Sequence, residues 1–305
     1  MTERATDSDA PRCGYVALVG APNAGKSTLL NRLMGTKISI VTPKVQTTRA
    51  RIIGVMTRGS AQFIFVDTPG IFSPSRRLER AMVAAAWSGA ADADAVVLLV
   101  DAQRGIDEDT KNIIEGFRKS GRKAVLALNK IDAVRPDKLL DLTSRLNETG
   151  VFTETFMISA LTGDGVEDMI EPLAAKLPEG PWLYPADHLS DMNERLFASE
   201  IMREKLFMHL HNELPYSLTV ESEGWEERKD GSVRIEQVIY VEREGQRGIV
   251  LGKNGQMMKI VATSARLELE KLLDRRVHLF AFVKVRGKWR DDPERYREMG
   301  LEFRD

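Results

Sequence analysis

Tyr15-Val16-Ala17-Leu18-Val19-Gly20-Ala21-Pro22-Asn23-Ala24-Gly25-Lys26-Ser27 sets a short apolar run against a glycine-bounded turn ending in Lys-Ser. The run reads as a buried strand, and Ser27–Met34 continues at helical spacing. The turn fits G-x-x-x-x-G-K-[ST] between strand and helix. Its glycines let backbone N–H groups turn inward around phosphates, and the following helix adds its positive end. Gly20, Ala21, Pro22, Asn23, Ala24, Gly25, Lys26, Ser27 and Thr28 are therefore candidate nucleotide-binding residues. Lys26 would reach the β- and γ-phosphates, and the Ser27 hydroxyl would bind Mg²⁺.

Outward from this turn, apolar runs at Gln62–Asp67, Ala95–Asp101, Ala124–Lys130 and Thr155–Ala160 alternate with helix-like stretches at Arg77–Ala90 and Thr110–Ser120. That alternation predicts an α/β fold with a doubly wound parallel sheet, and Arg49–Thr57 adds one antiparallel strand. Each run ends where such a sheet places its ligand loops. Asp67-Thr68-Pro69-Gly70 closes one: the carboxylate can hold Mg²⁺ through water, and the Gly70 N–H can meet a γ-phosphate. Asn129-Lys130-Ile131-Asp132 closes another. A carboxylate at Asp132 can accept both the ring N–H and the exocyclic amine of guanine, a donor pair adenine lacks. The Lys130 stem can cover the base, and Ser159-Ala160-Leu161 offers a backbone donor for its carbonyl. Thr47 or Thr48, in the stretch Thr42–Arg49, could complete the Mg²⁺ shell, with Thr48 preferred. Candidate catalytic residues are thus Lys26, Thr48, Asp67 and Gly70, and candidate metal ligands Ser27, Thr48 and Asp67.

Pro178–Pro185 breaks the pattern with three prolines and a glycine, as a linker does. Beyond it the order becomes helix, strand, strand, helix, glycine turn, helix, strand, which predicts a second, α+β domain. At its centre Gly252-Lys253-Asn254-Gly255 lies between two helices, where G-x-x-G lets backbone approach a nucleic-acid strand. Lys253 and Lys259 would meet phosphate, and Ile249 and Met258 would contribute an apolar floor for unstacked bases. Arg243–Arg290 holds twelve basic and four acidic residues, an excess of eight positive charges in a chain whose net charge is −1. Such a field is the electrostatic footprint of a polyanion partner.

Cys13 is the one cysteine, so no internal disulfide can form and a reducing cytoplasm is the expected setting. The longest apolar run, Ala95–Val100, is too short to span a bilayer. The expected organisation is a polar tail at 1–12, a nucleotide domain at 13–180, a linker at 181–190, an RNA-binding domain at 191–290 and a charged tail at 291–305.

With QTTR (Gln46–Arg49), DTPG, NKID and SAL in this order after the phosphate turn, the chain resembles the Era family of bacterial ribosome-assembly GTPases from about Gly14 to Arg290. The second half resembles a type II KH domain, down to Val283-Lys284-Val285 and Lys288-Trp289-Arg290. The resemblance implies a P-loop GTPase sheet followed by the KH domain. It also implies GTP/GDP and Mg²⁺ as ligands, and 16S ribosomal RNA near its 3′ end within the small ribosomal subunit as partner, with no DNA. It permits peripheral contact at the inner membrane face. Ile71 follows DTPG where Ras-like enzymes carry a water-orienting glutamine, so hydrolysis needs other help. Asn23 resembles the asparagine by which related GTPases bind K⁺. Two other readings stand beside this one. A tRNA-modification GTPase would need an additional helical or folate-binding region and a C-terminal reactive cysteine, which this sequence lacks. An RNA-binding adaptor with a silent nucleotide domain would not need Lys26, Ser27, Asp67 and Asp132 intact.

Overall fold

A computed structural model describes residues 10–287 and 289–303. Most of the expected polar tail and Lys288 lie outside them. Contacts divide the chain into two compact units. One comprises the residues up to Ile38 with Thr48–Asp191, the other Ser39–Thr47 with the residues from Met192 onward.

In the first unit, β1 (Arg12–Gly20), α1 (Lys26–Met34), β2 (Ile52–Arg58), β3 (Ala61–Asp67), α2 (Arg77–Asp92) and β4 (Ala95–Asp101) follow in order. Then come α3 (Glu108–Ser120), β5 (Ala124–Asn129), α4 (Pro136–Asn147), β6 (Phe152–Ile158) and α5 (Ile170–Ala174). The sheet order is β2-β3-β1-β4-β5-β6, with β2 antiparallel to β3 and every other pair parallel. From β1 the chain crosses to β3 on one side and β4 on the other, so the crevice beyond Gly20 is the switch point where such sheets bind ligands. Alternation sets the layers. Ala17, Val19, Val96, Leu98 and Val100 pack with residues of α2, α3 and α4. Val16, Leu18, Val97 and Leu99, of opposite parity, are also buried. A strand buried on both sides reads as an unbroken apolar run, as these do.

Residues 181–190, expected as a linker, are held on this unit. Gln62, fully buried, accepts the Leu183 and Tyr184 N–H groups at 2.9 and 3.0 Å and donates to the Tyr184 carbonyl at 2.8 Å. The Val55 N–H then donates to Leu189 O at 2.9 Å.

The second unit contains α6 (Glu194–His209), β7 (Leu218–Glu227), β8 (Val233–Val241), α7 (Glu244–Leu251), α8 (Gln256–Leu272), β9 (Val277–Val285) and α9 (Pro293–Glu298). β7 pairs antiparallel with β8, and β8 parallel with β9. Val277, Leu279, Ala281 and Val283 turn one face of β9 to a core shared with Ala198, Ile201, Val261, Ala265 and Leu269 of the helices. The stretch after β9, which charge alone marks as a tail, is integrated here. Trp289 and Tyr296 are buried, and the Trp289 indole N–H donates to Ser217 O at 3.2 Å. A buried tryptophan with its N–H satisfied is a packing residue, the role its position at the domain's end suggests over base stacking.

Candidate functional site

The phosphate turn runs from Gly20, ending β1, to Lys26, opening α1. Gly25 takes φ 100°, and a Cβ there would lie 2.2 Å from Asn129 Nδ2, so glycine alone fits. Asn23 also turns through positive φ, at 65°. Lys26 is buried, with Nζ donating to the carbonyls of Gly20 at 3.1 Å and Ala21 at 3.0 Å. Burial pushes its pKa down to about 8, and the Asp67 carboxylate partly opposes that fall.

Three oxygen-bearing side chains converge beside it. Ser27 Oγ donates to Asp67 Oδ2 at 2.6 Å and lies 2.8 Å from Thr48 Oγ1. Thr48 Oγ1 in turn donates to Asp67 Oδ2 at 3.4 Å. One carboxylate and two hydroxyls form the hard donor set that suits Mg²⁺ shared with phosphate oxygens. The neighbouring Thr47 hydroxyl points elsewhere, 2.6 Å from Thr42 Oγ1 and donating to Lys44 O at 2.7 Å. Beyond Asp67, Thr68 Oγ1 donates to Leu18 O at 2.9 Å, and Pro69 and Gly70 lead to Ile71. The Ile71 N–H donates to Gly20 O at 3.1 Å while its side chain joins the core.

On the base side, Asn129 ends β5 and ties two loops: its amide donates to Ala24 O at 2.8 Å and accepts the Ala160 N–H at 2.9 Å. Lys130 takes φ 68° and its Nζ meets Asp101 Oδ2 at 2.6 Å. Ile131 and the exposed Asp132 form the short turn that follows. Ser159 is buried, its Oγ accepting the Thr162 N–H at 3.2 Å, whereas Leu161 is exposed. A cleft of about 330 Å³, lined by Thr28, Asn31, Arg32, Gly35, Ala160 and Leu161, opens beside this loop. The motifs did not reveal Arg32 or Arg104. Arg32 donates to the Ala160 carbonyl at 3.3 Å and to that of Leu161. Arg104, paired with Asp107 at 2.6 Å, donates to Pro22 O at 3.1 Å. Neither lies in a recognisable pattern, because each acts on backbone far away in sequence.

In the second unit, α7 stops at Gly252, φ 70°, where a Cβ would sit 2.6 Å from that of Met257. Asn254 and Gly255 also take positive φ, 53° and 74°. This backbone presents Lys253 and Asn254 to solvent. Ile249 is 61% exposed and Ile260, which the motif does not include, 54%. Met258, grouped with the loop by sequence, is turned into the core. Much of the basic window is neutralised by carboxylates from outside it. Arg275 pairs with Glu194 and Glu227, Lys284 with Glu223, Arg286 with Asp292 and Arg290 with Glu242. Lys253 and the exposed Lys259 have no ion pair among the described residues.

The profile of the 50S ribosome-binding GTPase family matches residues 15–130, and that of the KH domain residues 213–290. GTPase Era of Rhizobium meliloti is 58% identical over 307 residues, spanning 99% of this chain and 98% of its own. GTPase Era of Dinoroseobacter shibae is 58% identical over 308 residues, spanning 100% and 99%. Two solved structures superpose with TM-score 0.89 at 39% identity, covering 95% of this chain and 99% of theirs. One is a variant of Aquifex aeolicus Era bound to GDP·AlF4⁻, the other Era in complex with MgGDPNP and nucleotides 1506–1542 of 16S ribosomal RNA. No described helix is long and apolar enough to cross a membrane. With this identity sustained along the whole chain, and both the phosphate turn and the glycine loop in place, the protein belongs to the GTPase Era family.

Proposed function

We propose that this chain is a GTP-hydrolysing switch that binds 16S ribosomal RNA near its 3′ end and assists assembly of the small ribosomal subunit. The convergence of Ser27, Thr48 and Asp67 oxygens beside Lys26 carries the reading, because that donor set serves a nucleotide whose terminal phosphate is to be cleaved. Lys26 offsets the charge that develops on the β- and γ-phosphates. Ser27, Thr48 and Asp67 would hold Mg²⁺, which supplies further neutralisation of phosphate charge when bound. The Gly70 N–H would meet the γ-phosphate. Asp132 would select guanine, and a backbone N–H in Ser159–Leu161 would be the donor for the base carbonyl. Lys130, held by Asp101, lies along the base.

The buried Ile71 cannot orient water, so turnover by the isolated protein is slow. Asn23 would hold K⁺, which would supply stabilisation of developing phosphate charge when bound, and RNA is expected to raise turnover as well. The Lys253 ammonium and the loop amides track the RNA backbone while Ile249 supports an unstacked base. The setting is the cytoplasm, as the lone cysteine suggests.

One experiment tests the whole: phosphate release from GTP in K⁺ and in Na⁺, with and without an RNA carrying the 3′ end of 16S ribosomal RNA. Faster release in K⁺ and with RNA is expected. Equal rates in the two salts remove the cation, and an RNA that neither binds nor changes the rate removes the ribosomal partner.

A further inference from the structure

Lys26 takes the carbonyls of Gly20 and Ala21, but the next carbonyl of the phosphate turn goes to a different cation. Arg104 Nη1 donates to Pro22 O at 3.1 Å. Its Nη2 meets Asp107 Oδ2 at 2.6 Å, while the other Asp107 oxygen, Oδ1, accepts the Thr110 N–H at 2.8 Å and so caps α3. The backbone beneath Arg104 is fixed as well. Asp101 O accepts the N–H groups of Arg104 at 3.1 Å and of Gly105 at 2.9 Å. All of these residues belong to the first unit.

An ion pair whose side chains are 44% and 21% exposed adds little stability. What it supplies is a guanidinium held in one place. Pro22 O and the Asn23 N–H belong to one planar trans peptide, so they point in opposite directions. A donor on the carbonyl therefore turns the N–H away from Arg104. A charged donor also polarises the peptide and strengthens that N–H as a donor in its own right. Such support matters because Asn23 takes φ 65°, a left-handed conformation that costs a residue with a Cβ. Pro22 is confined by a second neighbour, Gly70, where a Cβ would lie 2.9 Å from Pro22 Cα.

We propose that Arg104, oriented by Asp107, is a positioning residue for GTP hydrolysis: by holding the Pro22 carbonyl it aims the Asn23 N–H at the phosphates and strengthens it where charge develops during cleavage. The inference rests on the reading of Gly20–Ser27 as the turn that cradles GTP. A preorganised N–H at a site of developing charge favours the transition state over the ground state.

The test compares Arg104→Met, Arg104→Lys, Asp107→Asn and Lys26→Ala in the full-length protein. Single-turnover GTP cleavage and GDP affinity are measured, with the amide nitrogen resonance of Asn23 in the GDP complex. Arg104→Met weakens one donor rather than deleting it, so cleavage should slow about tenfold, short of the roughly hundredfold that a deleted donor costs. GDP affinity should change less than about threefold, because the added polarisation acts chiefly on charge that develops in the transition state. The Asn23 nitrogen should move upfield as its peptide loses polarisation. Arg104→Lys, which can still donate to Pro22 O, should recover part of the rate and part of the resonance shift. Asp107→Asn keeps the α3 cap, since asparagine caps about as well as aspartate, but frees the guanidinium. It should slow cleavage about threefold, so the question stays answerable if Arg104→Met does not fold. Wild-type cleavage in Arg104→Met or Asp107→Asn, alongside a defective Lys26→Ala, overturns the positioning role and leaves the GTPase reading standing. A Lys26→Ala protein that cleaves GTP normally overturns both. An Asn23 resonance that does not move overturns the positioning role, and so does GDP affinity that falls in step with cleavage, by showing general damage to the turn.

Discussion

Raising the pH should make nucleotide binding take up a proton at Lys26. In the nucleotide-free protein, burial lowers this amine's pKa from 10.5 to about 8 despite the nearby Asp67 carboxylate. A shift of that size corresponds to roughly 3 kcal/mol disfavouring the charged amine. A polyphosphate placed against Nζ reverses the balance and restores the charge. If the bound amine stays charged to about pH 10, uptake should be about 0.1 proton per site at pH 7, 0.5 at pH 8 and 0.9 at pH 9. Affinity should accordingly weaken toward about tenfold per pH unit above 8. The nucleotide-free fold should also gain stability as pH rises from about 8 toward 10.5, because over that range the unfolded chain binds the proton that the fold does not. Titration calorimetry of GDP binding at pH 8 to 9, in two buffers of different ionisation enthalpy, reads the uptake directly. At those pH values the nucleotide phosphates are fully ionised and add nothing, while guanine's own ring N–H begins to ionise toward pH 9, so the pH 8 value is the one that reports on Lys26. Binding with no buffer-dependent heat and flat affinity would refute the assignment of a depressed, phosphate-responsive Lys26.

Other substitutions probe separate parts of the structure. Asp132→Asn should move preference from guanine to xanthine nucleotides, measured by competition for a fluorescent GDP; retained guanine preference rules out Asp132 as the selector. Lys253→Ala should lower RNA affinity and flatten its dependence on salt by about one unit of log K per log salt. An unchanged slope would mean that Lys253 meets no phosphate. Trp289→Ala should destabilise the second unit by about 3–5 kcal/mol, since it removes a buried indole and strands the Ser217 carbonyl. Urea unfolding followed by far-UV circular dichroism checks this, and a loss below about 1 kcal/mol would contradict the packing role.

What was legible in the sequence is what is local. The phosphate turn is one stretch of backbone whose glycines and lysine act within a few residues of each other, so its placement between β1 and α1 follows from spacing alone. The strand–helix alternation was legible for the same reason. The cross-chain ties were not: Arg32 reaches carbonyls at Ala160 and Leu161, and Gln62 pins Leu183 and Tyr184. Membership of Ser39–Thr47 in the second unit depends on Ile40 entering the core beside α6 and on Val41 donating to Glu204 across more than half the chain. The basic window shows how a count of charges along a sequence overstates a surface field. Glu223 and Glu227 on β7, like Glu194 on α6, lie outside the window and still neutralise charges within it. The last stretch looked like a charged tail because Arg295 and its neighbours dominate its composition. Yet Arg295 is buried, paired with Glu221 at 2.6 Å and set over the Tyr240 ring, so its charge serves packing.

Asn129 gives the first unit a property that neither of the loops it touches would have alone. With one amide fastened to both the Ala24 carbonyl and the Ala160 N–H, the loops proposed to hold purine and phosphate form a single frame. Guanosine and pyrophosphate presented separately would each have to order that whole frame for half the reward. The joined molecule orders it once, and its residence time is governed by the rare event in which both ends let go together.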